Sequence, residues 1–157
     1  MFPLLSSTPD AVAATHRPMA RVTIALAAFL LLACTGPAKG EAAALVHAVD
    51  AYRRAPAEAK GQRGKAVGDV LCSDAKVCEA KAACVAAIDP TVRALVLKDE
   101  VAARVADLEK GALAPDSPEA RALPGKLDEA EKLLQDGRAK MATCDARLTD
   151  LHIDFGV

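Results

Sequence analysis

Near the carboxyl end, Leu127, Ala130, Leu134, Gly137, Met141, Cys144, Leu148 and Leu151 recur at alternating spacings of three and four residues. That period belongs to a helix that lays one stripe lengthwise against a partner, and it predicts a long last helix. Its seam is open to two uses, within the chain's own bundle or against a second molecule. A second stripe, Ala94, Leu97, Val101, Val105 and Leu108, predicts a helix from about Pro90 to Lys110, with Gly111 as its carboxyl-terminal cap. Before it, Ser73-Asp74 offers an amino-terminal cap to a helix ending near Ile88, whose Val77, Cys84 and Ile88 share one face. Asp89-Pro90 reads as a break and restart between the two. Leu45, Val49 and Tyr52 place a first helix over Glu41 to Ala55, with Arg53 and Arg54 complementing its carboxyl end.

The connections are less regular. From Pro56 to Leu71 the chain holds Gly61, Gly64 and Gly68, each costing about 1 kcal/mol of helix propensity relative to alanine, so an imperfect helix is expected. Asp116 and Glu119 are spaced as a capping box, and Pro124 either kinks the following helix or marks its beginning. No strand-like alternation of useful length occurs. The fold class expected is all-α, a small antiparallel bundle of four to five helices.

Composition narrows the functional classes. The 157 residues suffice for one domain. With 20 Lys and Arg against 21 Asp and Glu, there is no global field to gather a polyanion, and nucleic-acid binding loses its support. From Cys34 onward Leu, Ile, Val and Phe number 26 in 124 residues, so the core is thin and alanine-rich. Only Tyr52 and Phe155 are aromatic there, too few to form a stacking platform for sugars or bases.

An uncharged run from Val22 to Leu32 follows Arg21 and ends at Ala33-Cys34. A charge followed by eleven uncharged, mostly apolar residues has the layout of an export signal, and is too short for the roughly 20 residues that span a bilayer. Residues 1–18 carry three prolines and an aspartate, so Met19 is the expected true start. Leu31-Leu32-Ala33-Cys34 resembles the lipobox of bacterial lipoproteins. The resemblance implies cleavage before Cys34, diacylglycerol on its thiol, and a mature chain that begins there. With Thr35 rather than aspartate next, it also implies sorting to the outer membrane, facing the periplasm. The expected organisation is a signal peptide over 1–33, a lipidated tether over 34–40 and a helical domain over 41–157.

Export leads to an oxidising compartment, where Cys72, Cys78, Cys84 and Cys144 read as two disulfides stapling a small core. Cys78 and Cys84 lie six residues apart on one expected helix, a rise of about 9 Å, beyond a disulfide's reach of roughly 7 Å. Two connectivities remain. Cys84 shares a face with Val77 and Ile88 while Cys144 lies on the last seam, which favours Cys84 with Cys144 and Cys72 with Cys78; the alternative joins Cys72 with Cys84.

Chemistry is sparse. The spacing C-x5-C-x5-C with a remote fourth cysteine suits neither zinc nor a dithiol redox motif, so no metal or cofactor is expected. Downstream of Cys34 there are two histidines, His47 and His152, and two serines, Ser73 and Ser117, both at expected caps. His47 reads as a partly buried structural residue of the first helix. Gly61-Gln62-Arg63-Gly64-Lys65 fails the phosphate-loop spacing, with Ala66 where a hydroxyl would bind magnesium. Arg53, Arg54, Arg63 and Lys65 make the segment after the tether mildly basic, a candidate bilayer-facing surface.

The expectation is a non-enzymatic, lipid-anchored accessory or scaffolding domain of the envelope. Its partners would be the membrane and either an envelope protein or a second copy through the last helix. The other reading is a small-ligand or lipid binder using the bundle interior, since alanine-rich helices can leave a cavity between them.

Overall fold

The computed structural model describes residues 36–157; the expected signal segment, Cys34 and Thr35 lie outside the described residues. Within them the chain forms α1 (Pro37–Arg54), a 3₁₀ turn (Ala57–Ala59), α2 (Lys60–Gly68), α3 (Ala75–Glu109) and α4 (Pro118–Phe155). No strand occurs among the described residues, and the fold is all-α.

Helices α3 and α4, of 35 and 38 residues, form an antiparallel hairpin about 50 to 57 Å long at 1.5 Å per residue. Its seam is the one whose spacing stands out in the sequence, and it is used within the chain. Cys84 and Cys144 face each other at 4.5 Å between Cα atoms. Two turns further on, the bare Cα of Gly137 lies against Thr91 and the Ala87 carbonyl. Small residues set this distance: Ala80, Ala87 and Ala94 on α3 and Ala130 and Gly137 on α4 are all buried, and none holds the backbones apart.

Helices α1 and α2 cover only the half of the hairpin nearest the α3 amino end. Ala42, Leu45, Val49 and Tyr52 of α1 and Val67 of α2 join Val77, Ala80, Cys84, Ala87 and Ile88 of α3, and Cys144, Leu148 and Leu151 of α4, in one buried cluster. Each of the larger aliphatic side chains contributes about 1.5–3 kcal/mol by leaving water. Gly64 lets α2 come close, since a Cβ there would stand 2.8 Å from Ile88 Cγ2 and 3.2 Å from Val92 Cγ2. The glycines that weaken α2 as a helix are thus matched by one position where only glycine fits. Beyond this cluster the hairpin continues as two helices, holding Ala94, Val101, Leu123 and Ala130 buried between them.

Three element boundaries differ from the expected ones. The first helix begins at Pro37, whose fixed φ and missing N–H suit a first-turn position, so residues 37–40 are helix rather than tether. The break at Asp89-Pro90 is absent, and α3 runs through Pro90. An interior proline leaves the Ala86 carbonyl without its helical donor. Ala86 is exposed, where water can serve that oxygen, while Pro90 is buried and its neighbours Ala87 and Thr91 are clamped against Gly137. Packing on both sides of the proline therefore outweighs its local preference. Helix α4 starts at Pro118, capped by Ser117 Oγ accepting from Ala120 N at 3.1 Å, not at an Asp116 capping box. It continues through Pro124 in its second turn, which leaves the Ala120 carbonyl without its helical donor. At the other end Asp74 caps α3 by accepting from Lys76 N at 2.8 Å and Val77 N at 3.3 Å.

A carboxylate ties α1 to the start of α3. Glu41 accepts from Ser73 N and Ser73 Oγ, both at 2.7 Å, and from Asp74 N at 3.4 Å. The Ser73 backbone N–H and hydroxyl together hold the Glu41 carboxyl below its ordinary range. A carboxyl more acidic in the folded chain than in the unfolded one stabilises the fold above the unfolded value, and that contribution disappears as pH falls through the folded one. Glu41→Gln is therefore expected to be less stable than wild type at pH 7 and to show a shallower loss of stability between pH 5 and pH 2. Denaturation midpoints across that range check it; parallel pH profiles for the two proteins would contradict it.

Candidate functional site

The cysteines of the described domain are all paired. Cys72 bonds to Cys78, pinning the segment before α3 to its first turn, and Cys84 bonds to Cys144 across the hairpin. The second pair is buried to 0% exposure at both ends, while Cys72 and Cys78 are half-buried. With every one of these thiols in a disulfide, none is a thiolate ligand or nucleophile. Among the described residues no cluster of three or more His, Cys, Asp or Glu side chains is placed to hold a metal ion.

His47 is exposed, contrary to the expectation of a partly buried residue. It stands two positions from both Leu45 and Val49, which turns it to the side of α1 opposite the buried stripe. His152 lies exposed in the last turn of α4, its Nδ1 against the Val157 carbonyl, next to the left-handed Gly156 that caps the helix. The two histidines have no common site. Residues 61–65 are helical, so their backbone N–H groups are not gathered into a phosphate cradle.

The basic residues divide into two kinds. Arg53 is engaged, pairing with Asp145 of α4 and, at 3.8 Å, with Asp50. Lys60 closes the end of α1: its Nζ donates to the Tyr52 carbonyl at 2.6 Å and the Arg53 carbonyl at 3.0 Å, and lies 4.4 Å from the centre of the Tyr52 ring. The Tyr52 carbonyl, which also accepts from Ala55 N at 3.2 Å, and the Arg53 carbonyl are thereby served by a cation at the negative end of the helix dipole. Partial burial lowers the Lys60 pKa, and burial raises that of Tyr52. Arg54, Arg63 and Lys65 instead point to solvent with no ion-pair partner among the described residues. Arg54 and Arg63 flank a shallow groove of about 310 Å³ floored by Ala51, Ala55, Pro56 and Ala59. The elbow between α1 and α2 is thus a knob with small apolar residues at its centre and cations at its rim. The charges along the sequence show the cations as a run, but not that Arg53 and Lys60 are consumed by the fold.

A second groove, of about 360 Å³, lies at the other end, between Lys76 and Glu79 of α3 and Arg147, Asp150, Leu151, Ile153 and Asp154 of α4. Its charges compensate one another: Lys76 meets Asp154 at 2.8 Å, and Arg147 stands 3.9 Å from Glu79 and 3.8 Å from Asp150. Exposed pairs of this kind contribute at most about 1 kcal/mol each and leave little net field for a ligand. Between the helices, Leu45, Val49, Val67, Ile88 and Leu151 occupy the interior with 0–1% exposure.

No protein-family model matches the chain, and neither a curated protein nor a solved structure does so. The functional reading therefore rests on the residues themselves.

Proposed function

We propose that the chain is an exported lipoprotein whose helical domain, held at a membrane surface by diacylglycerol on Cys34, is a non-enzymatic accessory or scaffolding module of the cell envelope. The observation that carries this is the apolar run Val22 to Leu32 closing on Leu31-Leu32-Ala33-Cys34. The two disulfides support it, because such bonds persist in oxidising compartments. Only Thr35 and Gly36 separate Cys34 from the first turn of α1, so an acyl group on Cys34 leaves the domain a tether of about 10 Å. The outer membrane, facing the periplasm, is the proposed site, from Thr35 at the position that sorts such proteins.

Metabolic labelling with a radioactive fatty acid in a bacterial host tests the anchor. The wild-type chain is expected to take up label and to sediment with membranes, and Cys34→Ala to do neither. A Cys34→Ala protein that still carries label would overturn the proposal.

A further inference from the structure

The hairpin is covered by α1 and α2 along only one half of one side, which leaves a step. The side is fixed by contacts: Gly61 and Gly64 of α2 face Ile88 and Val92, and Arg53 reaches Asp145. Following α3 outward from Ile88 and Val92 at helical spacing brings Leu95, Asp99 and Ala102 to that side, and following α4 from Asp145 and Met141 brings Leu134, Glu131 and Leu127. No element of the described residues covers them. Leu127 is 46% exposed although it belongs to the heptad seam, and Leu95 and Leu134 are only half-buried.

The charges of step and knob are opposite. Asp99, Glu131 and the neighbouring Asp128 are exposed and form no ion pair among the described residues; Lys98 and Lys132 stand beside them, which leaves the step with a small acidic excess. The knob between residues 51 and 68 turns Arg54, Arg63 and Lys65 outward against Glu58 alone, Arg53 and Lys60 being engaged within the fold. Their lengths also correspond: α1, of 18 residues, is about 27 Å long, and the uncovered hairpin from Leu95 to Glu109 about 22 Å.

We propose that this step is the docking surface for a second copy of the same chain, set antiparallel, so that the α1–α2 knob of each protomer fills the step of the other. A two-fold axis satisfies both halves at once, because one surface carries the acidic step and the basic knob side by side. Arg54 and Arg63 of one protomer then meet Asp99, Asp128 and Glu131 of the other, and Leu127 leaves water against the alanines of the elbow. The arrangement goes beyond the anchor reading and does not depend on it. If both copies are also lipidated, their α1 amino ends lie at opposite ends of the pair, which would therefore lie along the membrane.

The test places a photoreactive benzoylphenylalanine at Leu127 of the full chain. Isotopically light and heavy protein, solubilised in detergent, are mixed and irradiated, and crosslinked peptides are read by mass. Mixed-isotope crosslinks from residue 127 to the segment 54–65 are the expected result. Crosslinks confined to one isotope, to an unrelated protein, or absent altogether would each overturn the proposal. Glu131→Arg, a change at an exposed position, is expected to lower the mixed-isotope yield about tenfold through like-charge contact, and Arg63→Glu in the same chain to restore it. An unchanged yield in Glu131→Arg would equally contradict it. The crosslink is read whether or not Cys34 is acylated, so its failure leaves the anchor untouched, and a missing acyl group leaves the association standing.

Discussion

Replacing Cys84 and Cys144 together by alanine is expected to lower the unfolding free energy by about 4 kcal/mol, the largest effect of any local change in this domain. The bond joins residues 60 apart, so its loss frees most of α3 and α4 to separate in the unfolded chain. The chain-entropy cost of closing such a loop is what the crosslink removes from folding. Both sulfurs are also fully buried in the cluster where α1 meets the hairpin, and alanine leaves space there. The Cys72–Cys78 bond spans only 6 residues, and its removal is expected to cost about 2 kcal/mol by the same reasoning. Against a total stability typically of 5–15 kcal/mol, the long bridge is a large share of what holds so thin a core. Chemical denaturation of both double variants, followed by circular dichroism, checks the order. A Cys84/Cys144 variant no less stable than the Cys72/Cys78 variant would show that the hairpin does not rely on its staple.

Gly137→Ala is expected to destabilise the domain by about 2 kcal/mol even though alanine is the better helix former by about 1 kcal/mol. A Cβ at this position would collide with Thr91 Oγ1 and stand 2.9 Å from the Ala87 carbonyl oxygen. The hydroxyl can rotate away, but the carbonyl belongs to the backbone of α3, so the two helices must part. They are poorly able to do so here, because Cys84–Cys144 fixes their spacing two turns away. Gly125, also within α4, supplies the control: nothing lies within 4 Å of its would-be Cβ, and Gly125→Ala is expected to raise stability by about 0.5–1 kcal/mol. Thermal unfolding of the two variants should move in opposite directions. Two shifts of the same sign would mean that close backbone contact at Gly137 does not set the hairpin's packing.

The helical class and the stripes of α1, α3 and α4 are legible because side-chain periodicity is a local property of the sequence. Val77, Cys84 and Ile88, and Leu45, Val49 and Tyr52, are buried where their spacing puts them. Pro90 reads locally as a restart because the residues that override it, Gly137 and Cys144, lie about fifty residues away. The start of α1 is missed for a smaller reason: Gly36-Pro37-Ala38-Lys39-Gly40 has two glycines and no apolar stripe, yet Pro37 is well placed to open a helix and α1 is held by the residues after it. Val105 and Leu127 lie on seams in the sequence but remain exposed, at 40% and 46%, since α1 and α2 stop short of them. Periodicity tells which face of a helix is apolar; it does not tell how far along that face the cover extends. The basic elbow was likewise visible as composition, while its division into engaged Arg53 and Lys60 and outward Arg54 and Arg63 depends on where α4 and the end of α1 fall.

The central claim is that this is a disulfide-stapled helical domain carried on a lipidated Cys34. Intact mass of the protein taken from a membrane fraction, with and without reduction and thiol alkylation, tests both parts together. The account predicts a chain beginning at Cys34 with acyl chains added, whose four other cysteines take up alkylating agent only after reduction. An unacylated chain whose thiols are alkylated without reduction would contradict it.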